Sequence, residues 1–345
     1  MKSQQPPLVD EAALGDYLDG RLPGGGRFAV QRHLAGHSNE TFLISRSGQT
    51  WVLRRPPCGA FLPSAHDVGR EFRVLSGLAA TDVRAPTPLL MCEDEAVIGA
   101  PFYVMEYVDG VVIRTELPDA FGVEVRGRIG EELVDALVEL HSIDPDSCGL
   151  GSLGKPHGYL ERQLRRWMSQ LDLTLPFTRP LPYLERAGEW LRDNVPAAGA
   201  HTVVHGDYKL DNVSFAPGLP VRLVAIFDWE MSTLGDPLAD LGWMISFWRD
   251  PGDPGGDEFG ELNRVTTMPG FSRRADLIAR YERATQRDAS GLVWYEVLAV
   301  WKLAILLEGS YARHLAGATD DLFFVELENR VPALARRAVA LAEKA

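Results

Sequence analysis

The sequence predicts an α+β protein in two parts, a small antiparallel sheet that carries one helix and a larger, mostly helical part. Short runs rich in β-forming residues dominate the chain up to about residue 108, and amphipathic helical patterns dominate from residue 125 onward. A compact β-rich interlude at 202–230 interrupts the helices. We therefore expect an N-terminal lobe over residues 1–109 and a C-terminal lobe over residues 110–345.

The N-terminal lobe begins with three strand patterns, which read FAVQRHL, TFLIS and TWVLR. The polar turns AGHSN and SRSGQ separate them, which is typical of an antiparallel meander. A helix is predicted over residues 65–78, because apolar side chains recur there every three or four positions. Two more strands follow in APTPLLMCEDE and PFYVMEYV, and residues 106–110 form a short hinge.

The C-terminal lobe consists mainly of helical patterns. They cover residues 125–141, 159–171, 181–194, 238–248, 273–289, 291–314 and 322–345. The interlude contains two apolar strands, TVV and VRLVAIF, which we expect to form a hairpin. The Gly-, Pro- and acid-rich stretch at 251–261 predicts an exposed loop, to which we assign no role.

Composition excludes several classes of protein. With 35 basic and 48 acidic residues the net charge is −13, which argues against non-specific nucleic-acid binding. Cys58, Cys92 and Cys148 lie far apart with no CxxC pair, so neither a disulfide framework nor a zinc site is expected. The start has no apolar signal segment. The apolar stretch 297–307 carries Lys302 and falls short of the roughly 20 residues of a membrane span. We expect a cytoplasmic protein with no nucleic-acid or membrane partner.

The chemistry is concentrated in two segments, HGDYKLDN at 205–212 and IFDWE at 226–230. Asp207 and Asn212 follow one apolar strand, and Asp228 follows another. If the two strands form a hairpin, the three side chains converge at one edge of the sheet. A carboxylate and an amide oxygen suit Mg²⁺, which takes its other ligands from phosphates and water. The remaining carboxylate can accept a proton from an attacking hydroxyl.

These segments resemble the aminoglycoside phosphotransferase family, which has the protein-kinase fold and includes choline and fructosamine kinases. HGDYKLDN matches the family's H-G-D-x-x-x-x-N catalytic loop, and FDWE matches its metal-binding segment. The resemblance covers residues 27–314. It implies a bilobal protein-kinase-like fold, ATP (or GTP) and Mg²⁺ as cofactors, Asp207 as catalytic base, and Asn212 and Asp228 as metal ligands.

The resemblance also implies residues that bind the nucleotide. A strand cation grips the phosphates and pairs with a glutamate of the following helix, which here predicts Arg54 with Glu71. The family usually has lysine, and the adjacent Arg55 is the alternative, since alternation along the strand lets only one of them face the phosphates. In the loop 35–40, backbone amides and the Ser38 hydroxyl would bind phosphate.

Further family positions have supporting roles. By the resemblance, the main chain of Glu106 and Val108 would hydrogen-bond the adenine. Asp240, in the segment GDPLADL, would brace the backbone of the catalytic loop. His205 would support that loop by packing and hydrogen bonding rather than act as a base.

The acceptor is left open. VLRRPP, SAHDVGREFRVL and HGDYKLDNVSF most resemble the phosphotransferase-like domain associated with acyl-CoA dehydrogenases, which implies a hydroxyacyl-CoA or hydroxy-acid acceptor. Arg162, Arg165 and Arg166 fall on neighbouring helical positions, and a basic face near the cleft would suit an anionic substrate. A solvated helix face is the alternative interpretation of these arginines. An aminoglycoside or other amino alcohol is the alternative and would need an acidic pocket.

Two other classes of protein compete with a small-molecule kinase. One is a catalytically silent nucleotide-binding protein of the same fold. The other is a metallohydrolase with His205 and Asp207 as ligands, which would need further convergent histidines and carboxylates.

Overall fold

The computed structural model describes residues 8–33, 39–57, 67–155, 157–197, 199–250, 253, 264–317 and 323–345. The chain divides into two compact units. The first consists of Met1–Asp109 with Ala225–Glu230, and the second of Gly110–Val224 with Met231–Ala345. The segment that carries Asp228 therefore belongs with the N-terminal part of the chain.

The first unit is built on a five-stranded antiparallel sheet in the order β1-β2-β3-β5-β4. Its strands are β1 Ala29–His33, β2 Glu40–Arg46, β3 Gln49–Arg55, β4 Pro88–Cys92 and β5 Phe102–Glu106. Ser47 and Gly48 connect β2 to β3 with positive φ angles of 52° and 78°. A two-residue turn of this kind matches the right-handed twist of the paired strands, which explains the Ser-Gly sequence.

Two helices cover opposite faces of this sheet, α1 Glu11–Leu18 and α2 Val68–Leu78. Leu14 of α1 shares a buried core with Leu53 of β3. The next residue along β3, Arg54, points the other way and contacts Glu71 of α2. The sheet thus has an apolar face under α1 and a face under α2 that carries charged groups.

The second unit is mostly helical. Its helices are α3 Arg126–Ser142, α4 Tyr159–Thr174, α5 Pro182–Asp193, α6 Leu238–Ser246, α7 Arg274–Thr285, α8 Leu292–Leu315 and α9 Phe323–Ala342. Much of α8 is buried. Two of its indoles, those of Trp294 and Trp301, donate to main-chain oxygens of α5 at 3.1 and 2.9 Å. These tryptophans are therefore core residues with satisfied N–H groups.

Four short strands flank the loop at 205–212, and their pairing corrects the predicted hairpin. They are β6 Thr202–Val204, β7 Val213–Phe215, β8 Leu223–Ile226 and β9 Thr233–Gly235. β6 pairs with β9, whereas β8 pairs with β7. The prediction that TVV and VRLVAIF pair directly is wrong, because β7, the nearer strand in sequence, takes β8 as its partner.

The predicted fold class is confirmed, with helix bounds shifted by a few residues. Helix α1 was not predicted, because its eight residues expose one side and bury only Leu14 and Leu18. The predicted loop at 251–261 lies outside the described residues apart from Asp253. Among the helices that the structure describes, none is both long enough and apolar enough to cross a membrane.

Candidate active site

In the first unit, a buried ion pair joins β3 to α2. The Nη1 atom of Arg54 lies 2.5 Å from Oε1 of Glu71, and the two side chains are 11% and 1% exposed. The neighbouring Arg55 points to the other face, where its Nη1 donates to the carbonyl of Ile98 at 3.0 Å. The geometry therefore selects Arg54 as the partner of Glu71. Its predicted contact with phosphate stays a prediction.

Electrostatics around Arg54 keep the arginine charged. Burial is the largest single influence and disfavours that charge, but Glu71 together with Tyr103, Asp228 and Glu230 outweighs it and raises the pKa of Arg54. For Glu71, burial dominates over the attraction of Arg54, so the pKa of its carboxyl is raised. Tyr103 pairs with Arg54 across the β3–β5 ladder, and burial together with the Glu71 carboxylate raises the pKa of its phenol.

Asp228 stands at a strained turn directly after β8. Its φ of +66° is rare for a residue with a side chain, and such strain is characteristic of functional turns. The indole of Trp229 donates to the carbonyl of Ile226 at 2.9 Å and fixes the turn. One carboxylate oxygen lies 3.4 Å from Nη2 of Arg54, and the side chain is 32% exposed. Asp228 can therefore still reach a ligand from solvent.

The other residues predicted to contact the nucleotide are Ser38, Glu106 and Val108, of which the structure describes the last two. Ser38 lies outside the described residues. Glu106 ends β5, and its amide donates to the carbonyl of Thr87 at 2.9 Å. Of the Glu106 main chain, the carbonyl is thus the group suited to the predicted adenine contact. Val108 follows on the half-buried chain.

In the second unit, the loop at 205–212 presents Asp207. Lys209 Nζ lies 2.6 Å from Asp207 Oδ2, and Asn212 Nδ2 lies 2.8 Å from the same oxygen. Both partners therefore hold Oδ2, and Oδ1 is the oxygen suited to receive a proton. Although burial opposes ionisation, Lys209 and other nearby cations keep the pKa of Asp207 below its usual range. The group is a carboxylate at neutral pH.

A buried carboxylate braces this loop from α6, as the resemblance predicted. Asp240 accepts hydrogen bonds from the amides of His205 and Gly206, at 2.6 and 2.8 Å. His141 of α3 lies 3.3 Å from the same carboxylate and 2.8 Å from the Tyr281 hydroxyl. Burial would raise the pKa of Asp240, but His141 and the loop amides hold it below its usual range.

The position of His205 also agrees with a supporting role. Its side chain is fully buried. Its Nδ1 accepts a hydrogen bond from the amide of Asp207 at 3.2 Å. This contact orients the backbone of the predicted base and gives the imidazole a structural function.

Two oxygen-bearing side chains have the chemistry that Mg²⁺ requires. The side-chain nitrogen of Asn212 donates to Asp207, so the side-chain oxygen Oδ1 of Asn212 points away from Asp207 and can bind a cation. The partly exposed carboxylate of Asp228 is the second candidate ligand. Among the described residues, no cluster of three or more His, Cys, Asp or Glu could hold a metal ion. The metallohydrolase alternative therefore has no ligand set in that part of the chain.

The basic helix face predicted on α4 is only partly available. Arg162 donates to the main-chain oxygens of Lys155 and His157, which anchors the loop before the helix. Arg166 lies against the ring of Trp167, 5.1 Å from its centroid. It also acts electrostatically on Lys302. On this face, Arg162 therefore has a structural role, whereas Arg166 contributes positive electrostatic potential near Lys302 of α8.

Sequence reasoning missed one functional candidate, Lys302 of α8. Its Nζ donates to the carbonyl of Gly206 at 2.7 Å, directly before Asp207. The two residues lie 96 positions apart. The sequence does show a lysine inside an otherwise apolar helix, but that pattern argues only against a membrane span and does not indicate which residue the lysine contacts.

Comparisons with known proteins identify the family. The model of the phosphotransferase enzyme family matches residues 29–290. Acyl-CoA dehydrogenase family member 11 of Rattus norvegicus is 34% identical over 97% of the chain and 43% of its own length. The chain thus spans less than half the length of that relative.

Solved structures give the same result. A provisionally assigned aminoglycoside phosphotransferase from Ralstonia eutropha is 32% identical, with a TM-score of 0.82 over 97% of this chain and 99% of that one. Spectinomycin phosphotransferase, solved with ADP and spectinomycin, shares the fold at 12% identity and a TM-score of 0.61, over 97% and 99% of the two chains. The chain belongs to the phosphotransferase enzyme family.

Proposed function

We propose that the protein transfers the γ-phosphate of ATP to a hydroxyl group of a small molecule, with Mg²⁺ as cofactor. The observation that carries the proposal is the arrangement around Asp207, whose Oδ2 is held by Lys209 and Asn212 while Oδ1 remains for the acceptor. An ionised carboxylate in this setting can orient a hydroxyl and take its proton. GTP is the alternative donor.

Four residues besides Asp207 bind the nucleotide and the metal in the proposed reaction. Arg54 and Lys209 are cations for the phosphate oxygens, and Asn212 and Asp228 are the metal ligands. Bound Mg²⁺ supplies neutralisation of the phosphate charge. The acceptor oxygen forms a bond to the γ-phosphorus, the bond from that phosphorus to the bridging oxygen of ADP breaks, and the hydroxyl proton goes to Asp207. The main contributions are positioning and electrostatics.

For the acceptor we propose a hydroxy acid or a hydroxyacyl-CoA. Relatedness to acyl-CoA dehydrogenase family members supports this choice. So does the positive potential of Lys302 and Arg166 near the loop that carries Asp207, which favours an anion and disfavours a polycationic aminoglycoside.

The test is a phosphotransfer assay with ATP, Mg²⁺ and a panel of hydroxyacyl-CoAs, hydroxy acids, choline, ketosamines and aminoglycosides, with ADP release as the readout. We expect release that depends on a hydroxy acid or hydroxyacyl-CoA. Asp207→Asn keeps the shape of the side chain, and should slow transfer by about 10²- to 10⁴-fold while nucleotide still binds.

Other results would change the proposal. Transfer to aminoglycosides alone would refute the acceptor class. Bound nucleotide without transfer to any compound would favour the catalytically silent alternative. Asp228→Ala should weaken nucleotide binding in Mg²⁺, and unchanged affinity would remove that residue from the metal site.

A further inference from the structure

Lys302 is a buried cation with a defined task in the second unit. Its side chain projects from α8 among aromatic rings, with Nζ 4.2 Å from the centroid of Trp243 and 5.6 Å from that of Trp167. The residue is 8% exposed. Ring faces replace part of the water that an ammonium group loses on burial. Its Nζ donates a hydrogen bond to the Gly206 carbonyl, at 2.7 Å.

That carbonyl belongs to the peptide group that leads into Asp207. The amide on the other side of Gly206 is held by Asp240 at 2.8 Å. Gly206 has a φ of +85°, and a Cβ atom there would lie 2.7 Å from the carbonyl oxygen of Met231. The backbone is therefore clamped on both sides of Gly206, and Lys302 fixes the orientation of the peptide plane next to Asp207.

We propose that Lys302 is a positioning residue for Asp207: its ammonium group holds the Gly206 carbonyl and so fixes the peptide group that leads into Asp207. The proposal rests on the proposed function, because it assigns Lys302 to the same phosphotransfer site. It assigns no contact between Lys302 and substrate.

The charges that face Lys302 are Asp207 and Asp240, which favour its protonated form, and Arg166 and Lys209, which oppose it. Burial is the largest influence and lowers the pKa of Lys302 to about 8. The cation is thus present at neutral pH. Its charge is in turn one of the causes of the lowered pKa of Asp207.

A lysine that only fills space in the helical core would give a different result from one that positions the loop. We would compare Lys302→Met, which removes the charge and the donor, with Lys302→Gln, which removes the charge but keeps a donor on a side chain one atom shorter. Leu298→Ala is the matched control, because Leu298 is a buried residue of α8 that lines a small cavity together with Lys302 and Gly206 but has an apolar side chain that cannot hydrogen-bond the loop.

The first readout is amide hydrogen exchange over residues 203–212, which needs no activity. Relative to amides of α3 in the same variant, we expect about tenfold faster exchange in Lys302→Met, corresponding to one lost hydrogen bond. Lys302→Gln should keep part of this protection, and Leu298→Ala should leave it unchanged. Equal protection in Lys302→Met and the wild type would overturn the positioning role.

The second readout is the separation of kcat from KM for phosphotransfer. A misplaced Asp207 slows proton transfer without weakening nucleotide binding, so kcat should fall by about tenfold or more in Lys302→Met, with the KM for ATP little changed, and should fall less in Lys302→Gln. Both constants should stay close to those of the wild type in Leu298→Ala. An unchanged kcat in Lys302→Met would overturn the positioning role. If the wild type transfers no phosphate, the proposed function fails, while hydrogen exchange still decides whether Lys302 holds the loop.

Discussion

At the scale of single residues, Arg54 and Arg55 show how neighbouring side chains of one type receive different tasks. Both are buried arginines of β3. Alternation along the strand sends Arg54 to Glu71 and Arg55 to the carbonyl of Ile98. From the sequence alone, alternation along the strand indicates that only one of the two arginines faces the phosphates, but it does not identify the partner of either. The structure adds the partners: Arg54 pairs with the carboxylate of Glu71, whereas Arg55 donates to the carbonyl oxygen of Ile98.

This difference leads to a prediction for the ion pair. Arg54→Met leaves Glu71 buried and unpaired, so the free energy of unfolding should fall by about 3 to 5 kcal/mol. The double variant Arg54→Met/Glu71→Met removes both charges and should recover most of that loss. Its affinity for ATP·Mg²⁺ should nevertheless stay at least about tenfold below wild type, because the phosphate cation is absent.

Denaturant unfolding and nucleotide titration of the same samples check both parts. Arg55→Met serves as the control and should bind nucleotide normally, since Arg55 faces the other side of the sheet. Normal nucleotide affinity in the double variant would show that Arg54 serves only the fold.

Residue-level chemistry was predictable where it is local in the sequence. Asp207 and Asn212 lie within one short loop, so their spacing could be recognised, and the structure brings them to 2.8 Å. The contact of Lys302 with Gly206 could not be recognised, because it depends on how α8 packs beneath the loop. Tyr103 beside Glu71 was missed for the same reason, since it depends on strand register.

At the scale of elements, the loop at 205–212 is defined by its backbone as much as by its side chains. Gly206 has a φ of +85°, where a Cβ atom would also meet the carbonyl of Met231. Helix positions were predictable from their long periodic patterns. The pairing of the three-residue strands was not, because so few residues carry no periodicity that could select a partner.

Gly206→Ala tests the importance of that backbone geometry. We expect phosphotransfer to fall by about 10²-fold or more, because a displaced loop misplaces Asp207. The fair control is Gly48→Ala in the β2–β3 turn, where φ is +78° and no atom lies within 4 Å of the added Cβ. Each substitution should lower the free energy of unfolding by about 1 to 2 kcal/mol through strain alone.

Only Gly206→Ala should lose activity beyond that common effect on stability. Steady-state kinetics at a temperature where both variants are folded, as judged by circular dichroism, make the comparison. Similar activity in the two variants would mean that the loop adapts and that the close approach to Met231 has no catalytic consequence.

At the scale of the whole molecule, burial of ionisable groups links stability to pH. In the second unit His141, Asp240, Lys302 and Glu308 are all buried. The net charge of −13 does not reveal which ionisable groups are buried, because composition contains no information about their positions. The two-part organisation, in contrast, followed from the change in sequence pattern near residue 110. Asp228 joins the first unit by contacts that the sequence order does not suggest.

Lys302 provides the clearest test of this linkage. Its pKa is lowered from 10.5 to about 8 in the folded protein, so between these values the unfolded chain binds more protons than the native one. The stability of the wild type relative to Lys302→Met should therefore increase with pH, by up to about 1.4 kcal/mol for each step of one in pH between 8 and 10. Below about pH 7 the lysine is almost fully protonated in both states, and this contribution to the difference should be constant.

Urea unfolding at a series of pH values measures the difference, and taking it against Lys302→Met cancels the titration of the other groups that both proteins share. Leu298→Ala should give a difference from wild type that does not vary with pH, because it removes no charge. A flat profile for Lys302→Met as well would mean that the ammonium keeps its ordinary pKa. In that case solvent reaches it in solution, and its electrostatic influence on Asp207 must be weaker than the buried geometry implies.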